Sequence, residues 1–151
     1  MKTKTDKLAV VTSLFMYNHN QYVLDAYDKF KENIYRQGLD LFTIEGKLSN
    51  QPWRLKKSSC EKKMLRVGLQ QPLWYKEALI NLAVKEIPRS YDKIAWLDGD
   101  IILPDGWGQR IVHKLDTDDV NVVQAGGSLK YLNRDSSVVD KKQKARLGVG
   151  K

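Results

Sequence analysis

Residues 93–103 read KIAWLDGDIIL, and this stretch decides the fold class. The apolar run IAWL, residues 94–97, leads directly into the motif Asp98-Gly99-Asp100. A short apolar run that ends in turn-forming residues is typical of a buried strand in a parallel sheet. Because open α/β sheets bind their ligands beyond the carboxyl ends of such strands, the motif follows the strand where a binding site is expected.

The residues before this stretch alternate between strand and helix patterns. Residues 8–15 (LAVVTSLF) predict a first buried strand, residues 22–35 show apolar spacing of a helix that Gly38 closes, and residues 39–45 predict a second strand. A strand, a helix and a second strand form a βαβ unit. We therefore predict an α/β fold with a Rossmann-like, mostly parallel sheet and helices on both faces.

Further elements follow from the same patterns. We expect a short strand over residues 64–69, a helix over residues 72–87, a short helix over residues 106–115 and another strand over residues 120–124 (VNVVQ). The expected domain covers residues 1–125. Residues 126–151 are polar and basic without a clear period, and we interpret them as a tail or as the start of another segment.

Composition places the chain among soluble globular proteins. Of its 151 residues, 42% are hydrophobic and 29% charged, which excludes a disordered chain. No apolar run reaches the roughly eighteen residues of a membrane span. The single Cys60 has no partner for an internal disulfide and fits a reducing compartment, so we expect a cytoplasmic location.

The net charge of +8 is concentrated in two segments. Residues 54–66 hold six basic residues and one acidic residue, and residues 130–151 hold seven basic residues and two acidic ones. Neither segment interleaves its charges with aromatic residues, and no nucleic-acid-binding motif is present. We therefore expect solvated surfaces that can contact an anionic ligand or membrane. No clear nucleic-acid partner is expected, and binding of nucleic acid by the two segments is kept as a further alternative.

The Asp98-Gly99-Asp100 motif predicts a metal site. Two carboxylates separated by one glycine can turn tightly and direct their oxygens to one point. Hard cations such as Mg²⁺ or Mn²⁺ prefer oxygen ligands and accept phosphate oxygens in their open positions. A cation in this position can bridge a diphosphate and stabilise the charge that develops on it.

At this point the sequence resembles a known family. KIAWLDGDIIL resembles the DxD strand and loop of GT-A glycosyltransferases, and residues 73–124 are similar to glycosyltransferase-like proteins with a W-x-KE-x-x-x-N helix before that strand. The resemblance covers residues 7–125 and implies the donor-binding half of a family 2-like nucleotide-diphospho-sugar transferase. It implies that Asp100 ligates the metal, and that Asp98 approaches the ribose or supports the metal shell.

The resemblance also implies roles for five further polar residues, each of which has an ordinary structural alternative. Thr12 and Ser13 would contact the nucleotide at the end of the first strand. Glu45 would accept a hydrogen bond from a uracil or guanine base. Lys76 would neutralise a phosphate, and Asn81 would hydrogen-bond back to the DxD loop. Trp74 and Trp96 are expected in the core or in a pocket wall, because aromatic residues in helices and strands are usually buried.

The resemblance ends before the acceptor side of the fold. Similar proteins continue into an apolar GxAW-like patch and a Gly-Gly-Asp-type acidic motif, neither of which this chain shows. The fold is therefore expected to be truncated on its C-terminal side, and the sequence assigns no catalytic base.

Three functions of the Asp98-Gly99-Asp100 motif remain open from the sequence. The first is a glycosyltransferase that moves a sugar from a nucleoside-diphosphate sugar to an unidentified acceptor with a divalent cation. The second is a non-catalytic nucleotide-sugar-binding module or remnant. The third is a haloacid-dehalogenase-type phosphatase, whose nucleophile also lies in an Asp-x-Asp. That class expects its motif on the first strand followed by Thr or Val, whereas Ile101 and Ile102 follow the motif here.

Overall fold

The computed structural model describes residues 8–117, 120–126 and 130–139. The chain divides into two compact units, residues 1–121 and residues 122–151. The described part of the first unit holds a parallel four-stranded sheet in the order β3-β2-β1-β4 and three helices. The bounds are β1 Leu8–Phe15, α1 Gln21–Arg36, β2 Asp40–Leu48, β3 Lys63–Leu69, α2 Lys76–Lys85, β4 Lys93–Trp96 and α3 Trp107–Thr117. The predicted α/β fold with a parallel sheet is confirmed.

Helices cover both faces of the sheet, as predicted. The side chains of β1 alternate between the faces, because successive residues of a strand point in opposite directions. Leu8 and Val10 pack against α1 and α3, whereas Ala9 and Val11 pack against α2. All four are fully buried, which explains why β1 reads as an almost continuous apolar run.

The ends of α1 follow from local chemistry. The side chain of Asn20 accepts a hydrogen bond from the backbone N–H of Tyr22 at 3.0 Å and caps the first turn. Gly38 has a positive φ of 68° and donates its N–H to the carbonyl of Tyr35 at 2.9 Å. Glycine adopts this left-handed conformation without a Cβ penalty, so the helix ends there, as predicted.

Helix α2 begins later than we expected. Its first residue is Lys76 rather than Pro72, and its first backbone hydrogen bond runs from Leu79 N to Tyr75 O at 2.8 Å. The hydroxyl of Tyr17 donates to the carbonyl of Leu73, which would otherwise be available to an added helical turn. A contact with Tyr17, which follows β1 and is remote in sequence, therefore overrides the helical pattern of residues 72–75.

Strand β4 is half exposed, so the prediction of a fully buried strand is wrong for one of its faces. Ile94 is 46% exposed and Trp96 is 69% exposed. The reason is topological: β4 is an edge of the four described strands, and α2 packs over β1 and β2 instead. The apolar composition of IAWL cannot reveal this, because it does not show which neighbours cover a strand.

The strand predicted over residues 120–124 is also wrong. These residues adopt no strand conformation, and Val122 is 86% exposed. Valine favours strands only where a partner strand and a covering face are available.

The second unit is small in its described part. It contains an isolated antiparallel bridge between Leu132 and Val138, and a turn in which Asp135 accepts from the backbone N–H of Ser137 at 2.9 Å. The predicted tail over residues 126–151 falls entirely within this unit, and its residues 127–129 and 140–151 lie outside the described residues. Within the described residues, every helix is too short or too polar to cross a bilayer.

Candidate functional site

The Asp98-Gly99-Asp100 motif lies at the point where the strand order reverses. The chain places β2 and β3 on one side of β1 and then returns to the other side of β1 for β4. Helix α1, which follows β1, and helix α3, which follows β4, both pack on the face opposite α2. The motif itself lies beyond the carboxyl end of β4, which is the edge where open α/β sheets bind ligands. The N–H of Leu97 donates to the carbonyl of Val11 at 2.9 Å, so the motif begins where this β1–β4 ladder ends.

Residues of the motif divide between the two faces of the sheet. Exposure alternates with a period of two from Ile94 through Trp96 to Asp98, and Trp96 pairs with Val11, which faces α2. Asp98 therefore continues the α2 face. Gly99 lies on the opposite face, over Tyr27 of α1.

The structure brings together two of the residues singled out from the sequence. The ammonium group of Lys76, the first residue of α2, contacts Oδ1 of Asp98. The side chain of Lys76 is 28% exposed and that of Asp98 is 55% exposed, so the pair faces solvent. Tyr75, at the N-cap of α2, makes no side-chain capping bond. A lysine at the amino end of a helix attracts anions, and here it adjoins a carboxylate.

Gly99 needs to be a glycine because of what lies beneath it. A Cβ atom at this position would lie 3.2 Å from Cδ2 of Tyr27 and 3.3 Å from Oγ1 of Thr12. Both neighbours are almost fully buried and have little room to move. The hydroxyl of Thr12 has no hydrogen-bond partner among the described residues. Thr12 thus supports the motif from below, whereas Ser13 is half-buried and next to it in β1.

Tyr27 connects the floor of the motif to the rest of the domain. Its hydroxyl lies 2.7 Å from Oγ1 of Thr43 and donates to Oε1 of Glu61 at 2.8 Å. Glu61 also accepts from the backbone N–H of Ser58 at 3.1 Å. Burial raises the pKa of the Tyr27 hydroxyl well above its usual value, so the hydroxyl remains protonated. We did not predict this network from the sequence.

Asn33 holds the segment that follows the motif. Its side-chain Nδ2 donates to the carbonyl of Leu103 at 3.1 Å, and its Oδ1 accepts from the Leu103 N–H at 2.9 Å. The side chain is nearly fully buried, although asparagine is usually exposed. The available signal was a polar residue beside the apolar Phe30 and Ile34 of α1, which we did not use.

Glu45 is engaged by the protein itself. It is 2% exposed, and its Oε1 accepts from the backbone N–H groups of Arg54 and Leu55, the latter at 3.0 Å. Its Oε2 lies 3.4 Å from Nε of Arg66. The carboxylate therefore fastens the segment after β2 to the sheet. The carboxylate is buried in this conformation, and the expected hydrogen bond from a base to Glu45 stays a prediction.

The remaining predicted residues are at the surface. Asn81 is exposed in the middle of α2, and its side chain makes no hydrogen bond to residues 98–100 as the structure describes them. Trp74 is 72% exposed and Trp96 is 69% exposed, so the expectation that either belongs to the core is wrong. Their interpretation as parts of a pocket wall stays a prediction.

The two carboxylates of the motif are open to solvent and to a metal ion. Asp98 and Asp100 are both exposed, and no cluster of three or more His, Cys, Asp or Glu residues occurs among the described residues. Two carboxylates that face solvent fit a cation that completes its oxygen shell with phosphate and water, as Mg²⁺ usually does.

Part of the basic segment at residues 54–66 has an internal role. The guanidinium of Arg66 lies 5.1 Å from the ring centre of Trp53, and the ammonium of Lys47 lies 5.0 Å from it. Of these two cation–π contacts, that of Arg66 uses a charge of the segment that the sequence suggested for solvent or anions, whereas Lys47 lies outside the segment.

No protein-family model matches the chain, and neither a curated protein nor a solved structure is significantly similar to it.

Proposed function

We propose that this chain binds the diphosphate of a nucleotide sugar through a divalent cation held by Asp98 and Asp100, and that it acts as a glycosyltransferase. The observation that carries this proposal is the position of the motif. It follows β4 at the β1–β4 reversal, and its first carboxylate contacts Lys76 at the amino end of α2. A carboxylate that can bind a cation, that of Asp98, therefore lies next to an ammonium group that can bind phosphate oxygens, that of Lys76.

Each residue of the site has a distinct task in this proposal. Asp98 and Asp100 supply oxygen ligands to the cation, which when bound stabilises the negative charge on the leaving diphosphate. Lys76 moves from Asp98 towards a phosphate oxygen and adds a charge-assisted hydrogen bond. Gly99 allows the backbone of the motif to lie directly on Tyr27, which keeps the two carboxylates in place.

Of the two alternatives, the binding module shares this site with the enzyme. The phosphatase requires a nucleophilic aspartate at the end of the first strand. Strand β1 ends in Thr12-Ser13-Leu14-Phe15 and provides none. The structure thus offers no feature that favours the phosphatase.

A thermal-shift screen of UDP- and GDP-sugars with and without Mn²⁺ tests the proposal. A ligand at about one hundred times its Kd adds about 2.7 kcal/mol to the free energy of unfolding. We expect at least one donor to raise the Tm in the presence of Mn²⁺, and the shift to disappear in Asp100→Ala. Asp105→Ala, which removes an exposed carboxylate just beyond the motif, should retain it. A shift that Asp100→Ala retains would exclude the proposed site.

Release of the nucleoside diphosphate then separates the enzyme from the binding module. The donor identified by thermal shift is incubated with the protein and Mn²⁺, and free diphosphate is measured over time. Slow release that Asp100→Ala abolishes supports the transferase. Donor binding without any release above the blank supports the module.

A further inference from the structure

Three aromatic side chains form a platform beside the motif. Phe15, Tyr17 and Trp74 make up this aromatic platform. The rings of Phe15 and Trp74 are 5.4 Å apart at 81°, and those of Phe15 and Tyr17 are 5.8 Å apart at 50°. Phe15 packs on the α2 face of the sheet, near its carboxyl edge. Asp98 and Lys76 occupy the same face and the same edge.

The segment that carries Trp74 is fixed at four consecutive residues. The carbonyl of Leu73 accepts from the hydroxyl of Tyr17. Trp74 meets the ring of Phe15 edge-on, and Tyr75 packs against the apolar core under α2. Lys76 contacts Asp98. These contacts hold the indole in a defined place two residues from the lysine of the candidate site.

The indole of Trp74 is anchored but not covered. With 72% of its surface exposed, it leaves a large apolar area in water, whereas tryptophan is buried on average. The contact with Phe15 is T-shaped, and most of the indole surface stays open beside it. Aromatic side chains beside a small number of polar groups are common in small-ligand sites.

We propose that the exposed face of Trp74 binds a sugar ring of the glycosyl acceptor. This inference rests on the proposed function and adds the acceptor class to it. A sugar ring has an apolar C–H face that packs on an indole, and a rim of hydroxyls that donate to carboxylates. Both complements are present here, in Trp74 and in the exposed oxygens of Asp98 on the same face.

A nucleobase could also stack on an aromatic ring, but the surroundings favour a sugar. A base can stack on one aromatic ring, but it presents few donors to the neighbouring carboxylate oxygens of Asp98. Among the described residues, Phe15 is the ring that contacts Trp74, and it does so edge-on. The platform thus provides one stacking face and neighbouring acceptors.

Fluorine NMR of the protein with 5-fluorotryptophan tests the proposal. The chain has four tryptophans, and the loss of one resonance in Trp74→Phe assigns the signal of Trp74. The probes are the methyl glycosides of glucose, galactose, mannose and N-acetylglucosamine, each added with UDP and Mn²⁺ present. We expect at least one glycoside to shift the Trp74 resonance while those of Trp53 and Trp107 stay in place.

Trp74→Ala should raise the apparent Kd of that glycoside about tenfold, in keeping with the loss of one stacking contact. Tyr35→Ala is the matched control, because Tyr35 is also an exposed aromatic residue. It lies near the C-terminal end of α1, at the amino edge of the sheet and away from the aromatic platform. This variant should bind the glycoside as the unaltered protein does.

Two results would overturn the inference. One is a Trp74 resonance that none of the four glycosides moves. The other is a Trp74 resonance that UMP alone moves, which would assign the platform to the base. The thermal shift of Trp74→Ala with a nucleotide sugar distinguishes the acceptor proposal from the proposed function. If this variant keeps the thermal shift but no longer binds the glycoside, both proposals are supported. Absence of the thermal shift in the unaltered protein would reject the proposed function instead.

Discussion

The ammonium group of Lys76 contacts Oδ1 of Asp98 and joins the first residue of α2 to the first carboxylate of the motif. A divalent cation that approaches Asp98 must therefore compete with an ammonium group. A diphosphate offers that ammonium a new partner. Cation and diphosphate should consequently bind with positive cooperativity.

Replacement of Lys76 by methionine tests this cooperativity. We expect Lys76→Met to bind Mn²⁺ alone more tightly, because the competing charge is gone. The variant should bind UDP with Mn²⁺ about tenfold or more weakly, since a charged hydrogen bond is lost. Isothermal titration calorimetry measures both affinities. Lys85→Met, at the other end of α2, should change neither. Unchanged Mn²⁺ affinity in Lys76→Met would show that the lysine does not compete for the site.

Gly99→Ala should disturb both stability and the site. The added Cβ would lie 3.2 Å from the buried ring of Tyr27, and overpacking of this kind costs about 1 to 3 kcal/mol. We expect a lower urea midpoint and weaker Mn²⁺-dependent binding of the donor. Gly68→Ala is the matched control, because nothing lies within 4 Å of the Cβ that it adds. If Gly99→Ala unfolds at the same urea concentration as the unaltered protein, the close packing beneath the motif is refuted.

Asn33→Ala should destabilise the segment after the motif. The substitution removes the acceptor of the Leu103 N–H, and a buried group left without a partner costs about 1 to 3 kcal/mol. The Leu103 carbonyl loses the amide of Asn33 but keeps Nε2 of Gln37 as a donor at 3.4 Å. Urea unfolding measures the loss, and hydrogen exchange should show reduced protection of the Leu103 amide. Asn81→Ala, at an exposed position of α2, should cost less than about 0.5 kcal/mol. Equal effects of the two substitutions would contradict the assigned contacts.

The raised pKa of the buried Tyr27 hydroxyl predicts a loss of stability at alkaline pH. Burial raises the pKa of its hydroxyl above the ordinary 10.0, so above that pH the unfolded chain releases a proton that the folded chain keeps. The contribution of Tyr27 to the free energy of unfolding is complete below pH 10 and decreases above it, by about 1.4 kcal/mol per pH unit. Tyr27→Phe should remove this decrease, whereas Tyr35→Phe, at an exposed position, should not. Urea unfolding between pH 8 and 11 measures it, and an unchanged slope in Tyr27→Phe would refute the assignment.

Much of the fold could be predicted because local patterns and tertiary contacts agree. The bounds of β1 and the cap of α1 at Gly38 both follow from residues close in sequence. The start of α2 and the exposure of β4 depend on distant partners. The bond from Tyr17 to Leu73 and the edge position of Trp96 have no local signal.

In the candidate site, too, some features follow from residues close in sequence and others from distant contacts. The motif and Lys76 could be singled out because their residue types and the elements that carry them suggest their chemistry. The contacts of Glu45 could not, because a carboxylate at the end of a strand looks the same whether it meets a ligand or two backbone amides. The support that Tyr27 and Asn33 provide arises from packing between elements that are remote in sequence.

Anomalous X-ray diffraction from crystals soaked with Mn²⁺ and UDP tests the central claim most directly. We predict one manganese peak within about 2.5 Å of a carboxylate oxygen of Asp100 and of a diphosphate oxygen, with Lys76 turned from Asp98 to the phosphate. A manganese ion that binds elsewhere in crystals that contain ordered UDP, or UDP bound away from the carboxyl edge of β4, would contradict it.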